Sequence, residues 1–243
     1  MLKLNDDKTE LIFIKTPRGV NLPDNTASIR IGETVVKSSA SAKNLGVTLD
    51  EMVSMDQHIS GVCRSAFIQL RYLFQIRSYL PHDSLQTLVH AFITSKLDYC
   101  NSLLLGIPAN RIKKLQLIQN TAARLVSGSP RYASATPLLK QLHWLPVQQR
   151  IQFKTLLLCY KCLNNLAPLY LCELIAAYKP VRTLRSIESN LVVVPRANTA
   201  RYGNRAFSLA APMLWNALPA EIRAAKSIAI FKSKLKTHLF GRS

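Results

Sequence analysis

A chain of 243 residues, 48% of them hydrophobic, has material for a buried core in one large domain or two small ones. Its 32 Lys and Arg against 13 Asp and Glu give a formal net charge of +19 and a pI near 10.1, a self-repulsion that an anionic partner relieves. No apolar run reaches the ~18–20 residues of a membrane span and the polar start is no secretory leader; five cysteines, an odd number, fit free thiols in an intracellular protein, nuclear or cytoplasmic. The charge is uneven. Residues 1–60 carry seven bases and eight acids, whereas the remainder carries 25 bases and five acids. RNA or DNA, gripped through its phosphates, is the expected partner, and no membrane is.

Taken in order, residues 1–53 read as strands and turns. Residues 10–15 form a plausible strand, Ser28–Ile31 and Thr34–Lys37 flank Gly32-Glu33 as a hairpin does, and residues 44–50 alternate like a half-buried strand. Helical periodicity takes over near Ser54, with Ile59, Val62, Cys63, Ala66, Phe67, Leu70, Leu73 and Phe74 as one stripe and Arg64 and Arg71 off it. After Pro81, Asp83 is placed to cap a helix whose apolar face is Leu85, Val89, Phe92, Cys100 and Leu103, ending at Gly106. A third helix puts Ile112, Leu115, Ile118, Ala122 and Val126 inward and Lys113, Gln116, Asn120 and Arg124 outward, and stops at Gly128. A short helix over about 136–142 follows.

Residues 146–166, PVQQRIQFKTLLLCYKCLNNL, are apolar almost all round, so they read as a central buried helix. Arg150, Lys154 and Lys161 share its one basic edge. An amphipathic segment runs to Tyr178. The pattern then fails over 179–205, where only residues 191–194 read as a strand and Arg182, Arg185, Arg196, Arg201 and Arg205 make a basic irregular loop. Residues 206–220 are apolar but broken by Pro212 and Pro219, which predicts irregular packing. Ser227 caps a last helix with Ile228, Phe231, Leu235 and Leu239 inward and Lys232, Lys234 and Lys236 mostly outward. The fold class is therefore α+β, mainly α: a short N-terminal β-hairpin and strand region, then a multi-helix bundle with a basic irregular loop and a C-terminal helix.

Several segments, in order, carry a resemblance: LKLNDDKTE (2–10), NLGVTLD (44–50), KLDYCN (96–101), HWLP (143–146) and the stretch 206–219 with its LWNALP core. Together they resemble the reverse transcriptases of non-LTR, LINE-type retrotransposons, most nearly the Jockey-like branch, over essentially the whole chain. The resemblance implies the end of a polymerase palm over 1–53, thumb-like helices over 54–130 and a helical C-terminal region over 131–243 with its Arg-rich loop 179–205. It also implies that the metal-binding aspartates lie upstream, so this chain alone is expected to be inactive and to bind no cofactor, the Mg²⁺ belonging to the intact parent enzyme. Asp6-Asp7 is a decoy, since a metal-binding Asp-Asp turn needs a strand on each side and a third carboxylate. Lys8 falls where such polymerases carry a lysine near the triphosphate, a remnant without the metal site. Leu45-Gly46 falls where they turn into a primer-gripping hairpin; a plain strand kink is the alternative.

Other groups are weighed on the residues alone. Cys159 and Cys162 share one side of the central helix and read as core thiols, ahead of zinc, which needs four ligands, or a redox pair. Lys96, amid its helix's apolar face, must snorkel, find an acid on another element or reach a phosphate. Trp144 and Trp215 read as packed rather than as base-stacking platforms. Phosphate contact is expected of Lys113, Arg124, Arg150, Lys154, Lys161, Arg182, Arg185, Arg196, Arg201 and Arg205, with a solvated basic loop as the alternative for the last five. The function expected is that of a reverse-transcriptase fragment retaining nucleic-acid binding. A helical protein-interaction module and a genomic remnant without function are the alternatives.

Overall fold

A computed structural model of the chain describes residues 9–15, 28–32, 34–178, 190–197, 199 and 202–242. The chain divides into two compact units, Met1–Ser65 and Ala66–Ser243. In the first, β1 (Ser28–Ile31) and β2 (Thr34–Lys37) pair antiparallel, with Ile31 opposite Thr34. β3 (Ser41–Asn44) and β4 (Val47–Asp50) form a second antiparallel pair, with Asn44 opposite Val47. Residues 44–50 are thus not one strand. They fold back at Leu45 and Gly46, whose φ angles of +46° and +82° are those of a mirror-image two-residue turn that suits the twist of paired strands. Gly46 is the sequence's one hint of it, because Leu45 is costly at positive φ. Residues 10–15 are extended chain and no ladder: Ser39 N–H donates to Leu11 O and Lys15 N–H to Glu51 O, each at 2.8 Å, at isolated points.

Asp50 closes this unit's last strand and prepares the first helix. Its carboxylate accepts from the backbone N–H groups of Met52, Ser54 and Met55 and from Ser54 Oγ, at 2.9–3.1 Å. That cluster of donors holds Val53 and Met55 in left-handed conformations, φ +46° and +63°, which a β-branched or long side chain otherwise avoids. Burial pushes the Asp50 pKa up, but the hydrogen bonds from Ser54, Met55 and Met52 outweigh it and the net shift is downward.

Helix α1 (Asp56–Ile76) continues from the first unit into the second. Ile59, Ala66, Leu70 and Leu73 are buried on one side of it. Phe67 and Phe74, expected on that side, are 40% and 41% exposed: the apolar stripe is wider than the surface it packs on. Next come α2 (His82–Val89), a π-turn (His90–Thr94), α3 (Ser95–Asp98) and a 3₁₀ turn (Asn101–Leu104). The buried side here is Leu85, Val89, Ile93 and Leu97, not Phe92 and Leu103, which are 42% and 50% exposed. Residues four apart drift by about 40° per step on an α-helix. The wider π-turn absorbs the drift and keeps all four on one line. The same rotation takes Lys96 off the buried line, to a half-buried position.

Around these pack α4 (Ala109–Val126), α5 (Ala135–Gln141), α6 (Val147–Leu163), α7 (Leu169–Cys172), α8 (Phe207–Asn216), α9 (Ala220–Arg223) and α10 (Ile228–Gly241). The five inward residues expected of α4 are all buried. α6 is central, packed against α3, the 3₁₀ turn, α4, α7, α8 and α10. Val147, Ile151, Thr155, Leu156, Cys159, Tyr160 and Cys162 are buried around it. Its core is aromatic: the rings of Tyr160 and Phe231 stack at 4.4 Å, and Trp215 lies 5.6 Å from Phe231. The polar ends of two of these rings are satisfied, since Tyr160 Oη donates to Ala225 O and Trp215 Nε1 to Asn190 O.

Two expectations about the later chain are corrected. Residues 207–216 form a regular helix in spite of Pro212. Proline removes one backbone donor, and burial of Leu209, Ala210, Ala211 and Trp215 on the same helix offsets that loss. The amphipathic segment expected up to Tyr178 is helical only over Leu169–Cys172, and the strand expected over 191–194 is a single antiparallel bridge of Ala177 with Val192. Ser227 does cap α10, its Oγ accepting from Ile230 N–H at 3.3 Å, and Phe231, Leu235 and Leu239 are buried.

Candidate nucleic-acid interface

The five sequence segments that carry the resemblance do different structural work, three of them as joints in the helical unit. In HWLP, His143 takes φ +54° at the end of α5, and Trp144 N–H donates to Leu139 O at 2.8 Å. Leu145 O accepts from the buried Gln119 amide at 2.8 Å, and Gln116 Oε1 accepts from Val147 N–H in the first turn of α6, where helix donors lack partners of their own. Trp144 is buried, edge-on to His90 at 5.2 Å, so it is a packed ring. In LWNALP, the Asn216 side chain clasps Val192 from both sides, accepting from its N–H at 3.0 Å and donating to its C=O at 2.8 Å. Arg223 Nη1 closes the end of α8 by donating to Asn216 O and Leu218 O.

KLDYCN supplies an ion pair. Arg150 on α6 donates two N–H groups to the Asp98 carboxylate, Nε at 2.8 Å from Oδ1 and Nη2 to Oδ2. Arg150 is accordingly not a free cation on the basic edge; its side chain is 18% exposed and its fork is occupied. Arg124 Nε donates to Ala133 O at 2.9 Å, which ties the loop after α4. Arg205 lies across Gly106, where a Cβ would fall 2.7 Å from Arg205 Cγ. Sequence periodicity places each of these cations on an outer face and has no means of showing partners so distant along the chain.

Lys154 keeps the role of a surface cation. It lines a cleft of about 390 Å³ with Arg150, Lys232 and Lys236, so that α6 and α10 each contribute two bases. Asp98 is the one acid among the lining residues, and Arg150 already engages it. Leu145, Phe153 and Leu157 supply an apolar floor and His143 a further polar edge. Lys236 Nζ sits 5.8 Å from the centre of the Phe240 ring, a cation–π contact that steadies it. Lys232 and Lys236, one turn apart on α10, are the members of this cleft that were seen in the sequence merely as outward lysines. Their distance from α6 in sequence is the reason.

The remaining expected residues are scattered. Lys113 is exposed on α4, Lys161 half-buried in the last turn of α6 and Arg196 exposed. Arg182, Arg185 and Arg201, together with Asp6, Asp7 and Lys8, lie outside the described residues. Leu45, at the tip of the β3–β4 turn, is 84% exposed. Cys159 and Cys162 are core thiols: burial pushes their pKa values up to about 12 and about 11, which keeps both protonated near neutrality. Among the described residues no group of three His, Cys, Asp or Glu could hold a metal ion, and no helix is long and apolar enough to cross a membrane.

No protein-family model and no solved structure matches the chain. Over 163 residues, 64% of its length, it is 26% identical to a Drosophila melanogaster protein described as a probable RNA-directed DNA polymerase from transposon BS, and it spans 17% of that relative. The chain is similar there to a transposon reverse transcriptase, so it carries a region related to such polymerases.

Proposed function

We propose that this chain is the end of the palm, the thumb and the helical tail of a non-LTR, Jockey-like reverse transcriptase, and that it grips nucleic acid through phosphates without carrying the metal chemistry. The similarity to a transposon polymerase supports the family. The observation that carries the binding role is the cleft in which Lys154, Lys232 and Lys236 converge while Arg150 consumes the local acid. Three ammonium groups over an apolar floor suit a sugar–phosphate backbone, and they carry no base-reading geometry. RNA and DNA are both substrates for such a grip, and the duplex of template and primer is the form the parent reaction offers.

The test is a salt titration of binding to an RNA–DNA hybrid duplex. The wild-type chain should give a steep log–log slope, and Lys154→Ala and Lys232→Ala should each flatten it by about one unit at similar cost on every sequence. An unchanged slope in both variants removes the cleft from the interface. The same preparation should not extend a primer with Mg²⁺ and deoxynucleotides; extension would place the catalytic aspartates within this chain.

A further inference from the structure

The outer face of α1 is uncovered and has a composition that selects its occupant. At 100° per residue, Phe67, Ile68 and Arg71 point one way with Tyr72 and Phe74 to either side, opposite the buried Ala66, Leu70 and Leu73. Phe67 is 40%, Tyr72 55% and Phe74 41% exposed. The Arg77 guanidinium, just beyond the helix, lies 5.9 Å from the centre of the Phe74 ring. No acid occurs between Asp56 and Asp83, so every charge offered along this face is positive.

The mixture of groups decides between partners. A protein-docking helix separates an apolar centre from a rim of both charge signs, and a helix lying on a membrane separates an apolar face from a basic one. Here guanidinium groups and aromatic rings alternate on one face, within about 14 Å of helix from Phe67 to Ile76. A single nucleic-acid strand presents the complementary alternation, with unpaired bases that stack on rings and phosphates that pair with arginine. A duplex hides its base faces. We propose that the outer face of α1 binds single-stranded nucleic acid, with bases stacked on Phe67, Tyr72 and Phe74 and the intervening phosphates held by Arg71 and Arg77. This site is separate from the lysine cleft and takes a strand rather than a duplex.

Two probes test it: a short oligo(dT), and the same sugar–phosphate polymer without bases. The full chain should bind oligo(dT) about tenfold more tightly than the abasic polymer, because each base–ring contact is worth roughly that factor. Phe67→Ala with Tyr72→Ala should abolish the preference and leave abasic binding and its salt slope as they were. Tyr72→Trp should keep it, with a tryptophan emission quenched by oligo(dT) and not by the abasic polymer. Equal affinity of the wild-type chain for both probes overturns the proposal while leaving phosphate binding intact; failure of both probes to bind overturns the lysine cleft as well. If the double alanine variant instead turns a dimer into a monomer and keeps the oligo(dT) preference, the face joins two copies of the chain and the proposal falls.

Discussion

The Arg150 guanidinium and the Asp98 carboxylate meet with two N–H groups on two oxygens, a geometry that a lysine cannot copy. Asp98 is 40% exposed, so water relieves it if the arginine is removed. Arg150→Met should therefore lower the unfolding free energy by about 1–3 kcal/mol, measured in urea, and leave the salt dependence of nucleic-acid binding unchanged. Lys154→Met should do the reverse. The two residues sit one helical turn apart on what the sequence presents as a single basic edge. What separates them is a partner 52 positions away in the chain, and periodicity along one helix carries no such information. Arg124 and Arg205 teach the same lesson from the loop and from the glycine they hold.

At the scale of elements, glycine positions show which joints are tight. Gly106 has φ +73° and Arg205 Cγ where its Cβ would go, whereas Gly128, φ +63°, has open space around that point. Gly128→Ala should cost only the left-handed backbone penalty, about 1 kcal/mol. Gly106→Ala should cost more, about 2–3 kcal/mol, because the stem of Arg205 must move as well; paired urea midpoints would check the difference. The long helices were legible from spacing, and α4 and α10 follow their stripes residue by residue. The turn at Leu45, the π-turn and the helix through Pro212 were not, since each puts a residue where local preference opposes it and tertiary packing prevails. The cleft was half legible: Arg150 and Lys154 come from one helix, whereas Lys232 and Lys236 arrive from the far end of the chain.

For the whole molecule, titration sets a second boundary besides charge. Burial holds the pKa values of His58 and His90 below the ordinary 6.5, with the nearby Arg150 adding to the effect at His90 and Asp98 opposing it. A depressed histidine takes its proton more readily in the unfolded chain. Stability attributable to these two residues is complete above about pH 6.5 and is lost as pH falls through that value towards their lower folded values. Urea midpoints should fall between about pH 7 and pH 5, and His58→Gln with His90→Gln should reduce the fall. The net charge of +19 acts in the same direction, since each added proton raises a self-repulsion that salt screens.

The π-turn at His90–Thr94 makes this stretch of chain sensitive to length rather than to identity. It holds one residue more than a plain helix needs to bring Leu85, Val89, Ile93 and Leu97 into line. Delete any one of its five residues and the segment returns to α geometry, with everything from Ser95 onward turned by about 100°. Leu97 then leaves the core and Asp98 leaves Arg150. A substitution in the same place removes a few atoms and changes no phase. The helix has, in effect, a reading frame, and a frameshift within it would be felt two elements away, in α6.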